Sequence, residues 1–295
     1  MDKVKVGIIG TGNIGTDILM KTQRSKYIEC GIFTGRNPDS KGIQIAKNIK
    51  VKTSFNSISA IMENPECCEI VFDATSAKVH EYNAPILKKL NKFAIDLTPS
   101  KIGKLCIPAI NLEESLSENN VNLITCGGQA TIPIAYALSK VHPETKYIEI
   151  VASIASKSAG AGTRNNIDEF TQTTKDALAE FTGIKNTKAI MTLNSAEPPI
   201  IMRNTVYAII DNPDINNIHK EVMNLVKQIQ KYVPGYRVKV EPIFENGRVT
   251  TTIEVEGLGD YLPKYAGNLD IITCAAVEIA ENYAKRKLMK VNINE

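Results

Sequence analysis

Val4-Lys5-Val6-Gly7-Ile8-Ile9-Gly10-Thr11-Gly12-Asn13-Ile14-Gly15 decides the fold of this chain. It begins as an apolar strand, continues as the pattern G-x-G-x-x-G, and is followed by a helical pattern from Thr16 to Arg24. In such a unit the first glycine permits a tight turn, the second admits a pyrophosphate to the backbone, and the third lets helix and strand pack closely. The stretch predicts dinucleotide binding, with a tight turn of no further function as the alternative. The residues that this reasoning assigns to the cofactor turn are Gly10, Gly12 and Gly15.

The rest of the first half repeats this alternation of strand and helix. Apolar strands are expected at 27–33, 69–72 and 93–97, with helical stretches at 57–63 and 77–90. The alternation predicts an α/β fold with a Rossmann-type, doubly wound parallel sheet, whose ligand lies at the carboxyl ends of the strands. Asp73 and Asp96 lie at the ends of two of these strands, either as cofactor-side loop residues or, as we favour, as strand-end caps without a further function.

The end of the second strand bears on the choice of cofactor. Dinucleotide folds selective for NAD usually place a carboxylate there, on the ribose 2′-hydroxyl. This chain has Thr34-Gly35-Arg36-Asn37 instead. Arg36 is either a solvated loop residue or a group that tolerates a 2′-phosphate, so the loop leaves both NAD and NADP open.

A second decisive stretch is Thr125-Cys126-Gly127-Gly128-Gln129-Ala130-Thr131. It lies between an apolar strand at 121–124 and a helical pattern at 132–141, in which we place Pro133 in the first turn. Backbone N–H groups at a helix N-terminus stabilise a thiolate, so we expect a lowered pKa and a nucleophilic sulfur at Cys126. A small buried cysteine without chemistry is the alternative.

The second half of the chain has a different order of strands and helices. A β-rich run at 147–154 precedes a loop of small residues at 156–166 and a helix at 167–181. Further strands at 188–193, 206–210, 236–240 and 249–255, with a helix at 216–233, predict an α+β catalytic and dimerisation domain with an antiparallel sheet. We expect a dinucleotide-binding domain over 1–127, the second domain over 128–267, and a final helix, 268–295, that packs back on the first domain.

Composition excludes several classes of function. The chain has 295 residues, 43% hydrophobic and 23% charged, as in ordinary soluble proteins. A net charge of +3 gives no reason to expect nucleic acid or an anionic membrane as a partner. No apolar run is long enough to span a bilayer, and no secretory leader precedes the first strand, which predicts a cytoplasmic protein.

Neither the cysteines nor the histidines suggest a metal site. The six cysteines form no C-x-x-C pair, so we expect reduced thiols and no metal. His80, His142 and His219 all lie in settings without glycine-rich or otherwise poised neighbours. We therefore assign none of them as a catalytic base.

Five motifs in order along the chain resemble one family. They are Gly10–Gly15, Cys126–Thr131, Ser158–Arg164, Ala196–Pro199 and Gly267–Asp270. Together they are similar to the acylating acetaldehyde dehydrogenases of aromatic-compound meta-cleavage pathways. The resemblance implies oxidation of acetaldehyde, and of short aldehydes such as propanal, to acyl-coenzyme A with NAD. It also implies a complex with 4-hydroxy-2-oxovalerate aldolase, as a homodimer within a heterotetramer.

Carried over to this sequence, the resemblance assigns a role to each motif. Cys126 becomes the nucleophile that forms a thioester, and Thr11, Gly12, Asn13 and Ile14 become cofactor contacts. The oxyanion needs donors, for which the candidates are backbone N–H groups near Gly127 and Gly128 or an Asn side chain such as Asn166. The small-residue loop and the start of the last helix become further NAD contacts: Ser158, Ala159, Gly160, Ala161, Gly162, Thr163, Arg164, Asn165, Asn166 and Asn268.

Two positions depart from the family pattern. Ala161 replaces a proline, a change that loosens the loop. Asn204 stands in Met202-Arg203-Asn204-Thr205, where the family has an aspartate proposed as the general base. An amide cannot accept a proton at neutral pH. Glu197 and Asp211 are the neighbouring carboxylates that we consider as substitutes.

Two other functions remain open. A phosphorylating semialdehyde or glyceraldehyde-phosphate type of dehydrogenase shares the layout but needs a downstream histidine, for which His219 is available. A catalytically silent NAD-binding subunit of the aldolase complex would account for Asn204.

Overall fold

The computed structural model describes residues 3–160, 163–164 and 167–293. These residues form two compact units. The first takes in the described residues up to Leu123 together with those from Thr273 onward, and the second spans Ile124–Ile272.

The first unit is built on a seven-stranded sheet in which every strand pair is parallel. The order is β3-β2-β1-β4-β5-β7-β6, so the chain winds outward from β1 in one direction and then from β4 in the other. This arrangement confirms the predicted Rossmann-type sheet. The strands are β1 (Val4–Ile9), β2 (Ile28–Thr34), β3 (Thr53–Ser54), β4 (Ile70–Asp73), β5 (Phe93–Asp96), β6 (Lys104–Leu105) and β7 (Asn120–Asn122). The helices are α1 (Asn13–Arg24), α2 (Lys41–Asn48), α3 (Ser59–Glu63), α4 (Ala77–Lys89) and α5 (Pro108–Ser115).

The second unit contains a five-stranded sheet of order β11-β12-β10-β8-β9. Its strands are β8 (Tyr147–Ala155), β9 (Thr187–Asn194), β10 (Met202–Ile209), β11 (Tyr236–Glu245) and β12 (Arg248–Val255), and its helices are α6 (Cys126–Val141), α7 (Ile167–Thr182) and α8 (Ile215–Ile229). The prediction of an antiparallel sheet is wrong for one pair, because β8 and β9 are parallel. Parallel neighbours need a crossover, which α7 supplies.

One face of this sheet is covered by helices. Along β10 the buried residues are Met202, Asn204, Val206 and Ala208, while the residues between them are exposed or half-buried. Helix α6 packs against β10, β8 and β12 on the buried face. The alternation is that of a strand with one face on a core.

Helix α6 begins earlier than its sequence pattern indicates. It starts at Cys126, so Pro133 lies in its interior and not in its first turn. The expected position was wrong because the glycines hide the helical pattern of the first six residues.

The last helix, α9 (Gly267–Ile293), begins in the second unit and belongs to the first unit from Thr273 onward. From Thr273 onward it packs in the first unit, where the rings of Tyr283 and Phe93 stack with centroids 4.3 Å apart. Ser25 Oγ donates to Glu281 Oε1 at 2.5 Å in the same contact. Among the described residues, no helix is both long and apolar enough to cross a membrane.

Candidate active site

The turn into α6 is strained at a position that favours glycine. Ile124 has φ of +64°, in the left-handed region, which is unusual for a β-branched residue. Thr125 follows as the N-cap of α6, and its Oγ1 accepts a hydrogen bond from Gly128 N at 3.0 Å. The same oxygen lies 2.7 Å from Thr174 Oγ1 of α7. This bracing holds the next residue, Cys126, at the first helical position.

Cys126 is buried, with 7% of its surface exposed. Burial raises the pKa of its thiol to about 11, and the backbone N–H groups of Gly127 and of Cys126 itself, which act in the opposite direction, do not offset it. The expectation of a lowered pKa was therefore wrong for the protein without ligands. The helix terminus does contribute as predicted, but desolvation of the thiolate is the larger effect.

The two glycines after Cys126 have different surroundings. A Cβ on Gly128 would lie 2.9 Å from Ile124 Cγ2 and 3.2 Å from Thr125 Oγ1, so the strained turn leaves no space for a side chain. A Cβ on Gly127 would meet the Ala152 Cβ of β8 at 3.5 Å, an ordinary contact. Gly128 is thus required by the turn, whereas Gly127 lies against the sheet.

Asn204 lies on the same face of the sheet, next to that contact. It pairs with Ala152 across the β8–β10 ladder and with Ile253 across the β10–β12 ladder. It is fully buried, and neither its Oδ1 nor its Nδ2 has a hydrogen-bond partner among the residues that the structure describes. A buried amide without partners costs free energy, and such groups are frequent where a ligand supplies the partner.

Two carboxylates were considered as substitutes for the base. Asp211 follows the far end of β10 and pairs with Lys146 at 2.5 Å, whereas Asn204 lies near the start of that strand. Asp211 is therefore excluded by the length of the strand. Glu197 pairs with Lys157 at 2.6 Å, and both side chains are more than half exposed.

Asn268 lies in the first turn of α9, at the same end of the sheet as Asn204. The helix starts so close to β12 that a Cβ on Gly267 would fall 1.9 Å from Val255 O, and Val255 pairs with Met202. Asn268 is 2% exposed, and its Oδ1 has no partner within the described part of the chain. It is a second buried amide atom available to a ligand.

The small-residue loop also continues from this end of the sheet. Ser158 Oγ donates to Ala155 O at 2.8 Å, and Arg164 folds back to donate to Ser156 O at 2.6 Å and Ala159 O at 3.2 Å. Gly160 and Thr163 are less buried than Ser158. The four remaining loop positions lie outside the described residues: Ala161, Gly162, Asn165 and Asn166.

The glycine motif of the first unit forms a cradle at the end of β1. A Cβ on Gly15 would lie 1.8 Å from Gly10 O, and Gly10 itself has φ of +109°. By contrast, no atom of the described chain lies within 4 Å of a Cβ on Gly12, the N-cap of α1. Open space over an exposed helix N-terminus fits a pyrophosphate. Thr11, Asn13 and Ile14 complete the exposed and half-buried rim.

The loop after β2 packs onto this cradle. A Cβ on Gly35 would lie 2.7 Å from Thr11 Oγ1, and Ser40 Oγ lies 3.0 Å from the same hydroxyl. Arg36 is exposed beside it. This is compatible with a 2′-hydroxyl and with a 2′-phosphate alike.

One of the three histidines lies in a different environment from the one that the sequence suggested. His219 is 43% exposed and lies 3.4 Å from Glu241, and His142 Nδ1 lies 2.7 Å from Glu144 Oε1. His80, in contrast, is fully buried between Asp73 and Asp96. The sequence signal that was available is the position of both aspartates at the ends of adjacent parallel strands. Among the described residues, no group of three or more His, Cys, Asp or Glu could hold a metal ion.

Comparison with known proteins places this geometry in a family. Residues 126–263 match the family model described as prokaryotic acetaldehyde dehydrogenase, dimerisation. The chain is 54% identical over 290 residues to an acetaldehyde dehydrogenase of Geobacillus stearothermophilus, covering 98% of each chain. It is 53% identical over 294 residues to one of Carboxydothermus hydrogenoformans, covering 100% of this chain and 98% of the relative. The chain belongs to the acetaldehyde dehydrogenases.

Membership of the acetaldehyde dehydrogenases makes the protein an oxidoreductase and confirms the resemblance read from the five motifs. The fold is also that of a solved structure, the aspartate semialdehyde dehydrogenase II of Vibrio cholerae. The two superimpose with a TM-score of 0.66 at 12% identity, covering 95% of this chain and 98% of the other. That likeness concerns the fold alone.

Proposed function

We propose that this protein oxidises acetaldehyde, and short aldehydes such as propanal, to the acyl-coenzyme A with NAD, through a thioester on Cys126. The observation that carries the proposal is the position of Cys126 at the first residue of α6, with backbone N–H groups directed at its sulfur. The buried amide of Asn204 next to that turn, which has no hydrogen-bond partner among the described residues, supports it.

The residues present fit a dinucleotide. The Gly10–Gly15 cradle has room for the pyrophosphate over Gly12. Within the second unit, Asn268 Oδ1 has no partner among the described residues and is suited to accept from a carboxamide N–H. When bound, the cofactor supplies the hydride acceptor. The preference of the protein for NAD rests on the family resemblance. The exposed Arg36 would also tolerate the 2′-phosphate of NADP.

The chain's own chemistry begins at the sulfur. The Cys126 thiolate forms a bond to the aldehyde carbon, and the carbonyl oxygen becomes an alkoxide that accepts hydrogen bonds from the backbone near Gly127 and Gly128. Collapse of this thiohemiacetal re-forms the C=O bond with loss of hydride from the carbon, for which bound NAD would supply the acceptor. The result is an acyl thioester on Cys126, with the aldehyde oxidised by two electrons.

Transfer to coenzyme A then regenerates the enzyme. The coenzyme A thiolate bonds to the acyl carbon, the C–S bond to Cys126 breaks, and the cysteine leaves as the thiolate. The coenzyme A thiol must first lose its proton, and Asn204 cannot take it. Asn204 can hold the thiol or the thioester oxygen by a hydrogen bond, which leaves solvent hydroxide or the exposed Glu197 as the base. Proton removal by hydroxide favours alkaline pH.

The deciding experiment is NADH formation from acetaldehyde with and without coenzyme A. We expect steady turnover with coenzyme A, and at most one NADH per active site without it. Cys126→Ser abolishes both, whereas Cys106→Ser, at another buried cysteine, keeps them. Turnover that requires phosphate and not coenzyme A would assign the protein to the phosphorylating dehydrogenases instead.

A second candidate function is a silent NAD-binding subunit. Two observations favour it: the raised pKa of Cys126, and an amide in place of the family's carboxylate at Asn204. NADH binding measured by fluorescence, together with iodoacetamide labelling in the presence of NAD, separates the two. Binding with an unreactive Cys126 would support the silent subunit.

The partners follow from the family. The match of residues 126–263 to a dimerisation model supports a homodimer. The resemblance adds a heterotetramer with 4-hydroxy-2-oxovalerate aldolase, and with it a place in the degradation of aromatic compounds. Sedimentation of the protein alone and with that aldolase tests both assemblies.

A further inference from the structure

His80 connects the loops that follow β4 and β5, and the first of these loops contacts the cofactor cradle. Its Nδ1 lies 2.9 Å from Asp73 Oδ2, at the end of β4, and its Nε2 lies 3.5 Å from Asp96 Oδ2, at the end of β5. All three side chains are fully buried. Strand β4 pairs with β1, whose end forms the cradle, and β5 pairs with the other side of β4, so the cluster is at the carboxyl edge where a doubly wound sheet binds nucleotides.

Each carboxylate also holds the loop that follows its own strand. Asp73 accepts from Thr75 N at 3.2 Å, and the loop reaches the glycine motif, since a Cβ on Gly10 would lie 2.4 Å from Ala74 O. Asp96 accepts from Thr98 N at 2.8 Å and from Ser100 Oγ at 2.5 Å.

A doubly protonated ring has a carboxylate oxygen near each of its nitrogens. Asn120 Nδ2 lies 2.9 Å from Nε2, while Asn120 Oδ1 has no partner among the described residues. In that orientation Nε2 accepts from Nδ2–H, as in a neutral ring, whereas a half-turn of the amide, which exchanges its oxygen and nitrogen, lets Oδ1 accept from an Nε2–H. Nδ1–H then donates to Asp73, and the ring carries a positive charge between two carboxylates.

The charged groups around His80 also favour the protonated ring. Burial alone would lower the pKa of His80, but the hydrogen bond to Asp73 and the charges of Asp96 and Asp73 together raise it above its usual value. Burial raises the pKa of the Asp96 carboxyl, which His80, Ser100 and Thr98 counteract. A neutral His80 would leave two buried carboxylates beside the site of an anionic pyrophosphate.

We propose that His80 is a positioning residue for the nucleotide, whose imidazolium holds the loops after β4 and β5 in the conformation that binds the cofactor. His80 is protonated below its pKa in the folded protein. Nucleotide affinity is therefore full at and below the pH at which histidine usually titrates, and it is lost as pH rises through the raised pKa of His80. The charged groups that face the ring are Asp73 and Asp96; Asn83 of α4, which donates to Asp73 Oδ2 at 2.8 Å, and Asn120 are neutral.

The test is the dissociation constant of NADH, measured by fluorescence in equilibrium between about pH 6 and pH 9.5, without aldehyde or coenzyme A. We expect affinity to fall by about fivefold or more across this range, the lower end of typical coupling between sites. His80→Gln should bind weakly at every pH, without this dependence. His219→Gln, at an exposed histidine, should keep the wild-type profile.

A second variant covers the case in which His80→Gln does not fold. Asp96→Asn removes one of the two carboxylates, so the loss of affinity should move to lower pH. NMR titration of the three histidines in the nucleotide-free protein, assigned with His219→Gln, should give one ring that titrates above its usual range and moves down in Asp96→Asn.

The outcomes separate this inference from the proposed function, on whose nucleotide site it rests. Wild-type affinity that stays constant within about twofold over the pH range, or an unshifted profile in Asp96→Asn, would overturn the role of His80 and leave the proposed function intact. No NADH binding at any pH would overturn both.

Discussion

Asn204 of β10 lies directly opposite Ala152 of β8, and the methyl group of Ala152 is the surface that Gly127 faces from the start of α6. This relationship brings the family's base position next to Cys126 within the second unit. It also explains why the amide is buried, because the first turn of the helix covers this part of the sheet.

Asn204→Asp tests whether the missing carboxylate limits the reaction. Burial would raise the pKa of the new carboxyl toward neutrality, which suits it to accept the proton of a thiol. We expect turnover at pH 7 to rise, by up to the ~10²–10⁴-fold that general bases contribute, and the rate profile to move to lower pH. The measurement is kcat against pH. An unchanged profile would remove position 204 from proton transfer.

Asn204→Leu is the matched apolar variant. It removes two buried polar atoms that have no partner within the described chain, so the free energy of unfolding should increase by about 1 kcal/mol or more. A ligand contact is lost at the same time, and we expect acyl transfer to coenzyme A to slow. Calorimetry and single-turnover kinetics measure the two effects. A less stable protein with normal transfer would mean that the amide is structural.

The regular part of the fold is predictable from the sequence because local residue patterns specify it. Apolar runs such as 4–9 are long enough to identify a strand, and the glycines after Ile9 identify the turn and helix. Strand β3, with two residues, and the short helices α2 and α5 have no such signal, because tertiary packing selects them.

The candidate site is predictable only in part, for two physical reasons. The N-cap and glycines around Cys126 are local, but the burial that raises its pKa depends on β8 and β10 far along the chain. The His80 cluster likewise joins α4 to the ends of two strands. The burial of Cys126 has no pattern in the linear sequence, and the His80 cluster has only the two aspartates at the ends of adjacent strands.

Gly127→Ala and Gly128→Ala form a matched pair at the nucleophile. The added methyl at 127 makes an ordinary contact with Ala152, so we expect a stability change below about 1 kcal/mol. The same methyl at 128 meets Ile124 Cγ2 at 2.9 Å and should destabilise by about 1–3 kcal/mol and misplace Cys126. Denaturant unfolding and kcat test the pair. Equal effects of the two variants would contradict the role of the Ile124 turn.

Alkylation of Cys126 should depend strongly on pH in the protein without ligands. With a pKa of about 11, the reactive thiolate is scarce at neutral pH, and its fraction increases about tenfold for each pH unit up to that value. The rate of iodoacetamide labelling at Cys126, followed by peptide mass spectrometry, should show this slope. Cys126→Ala identifies background labelling of the other thiols. A rate that is already constant near pH 7 would mean that the helix terminus outweighs burial after all.

Gly12→Ala separates nucleotide binding from stability. No described atom crowds a methyl group at this N-cap, so the free energy of unfolding should change by about 1 kcal/mol at most. The same methyl occupies the space proposed for the pyrophosphate, and NADH affinity should fall about tenfold or more, as expected for losing a hydrogen bond to a charged group.

Gly15→Ala, whose methyl would lie 1.8 Å from Gly10 O, should lose stability and binding together. NADH titration and thermal unfolding of both variants distinguish the cases. Normal affinity in Gly12→Ala would move the nucleotide away from this turn.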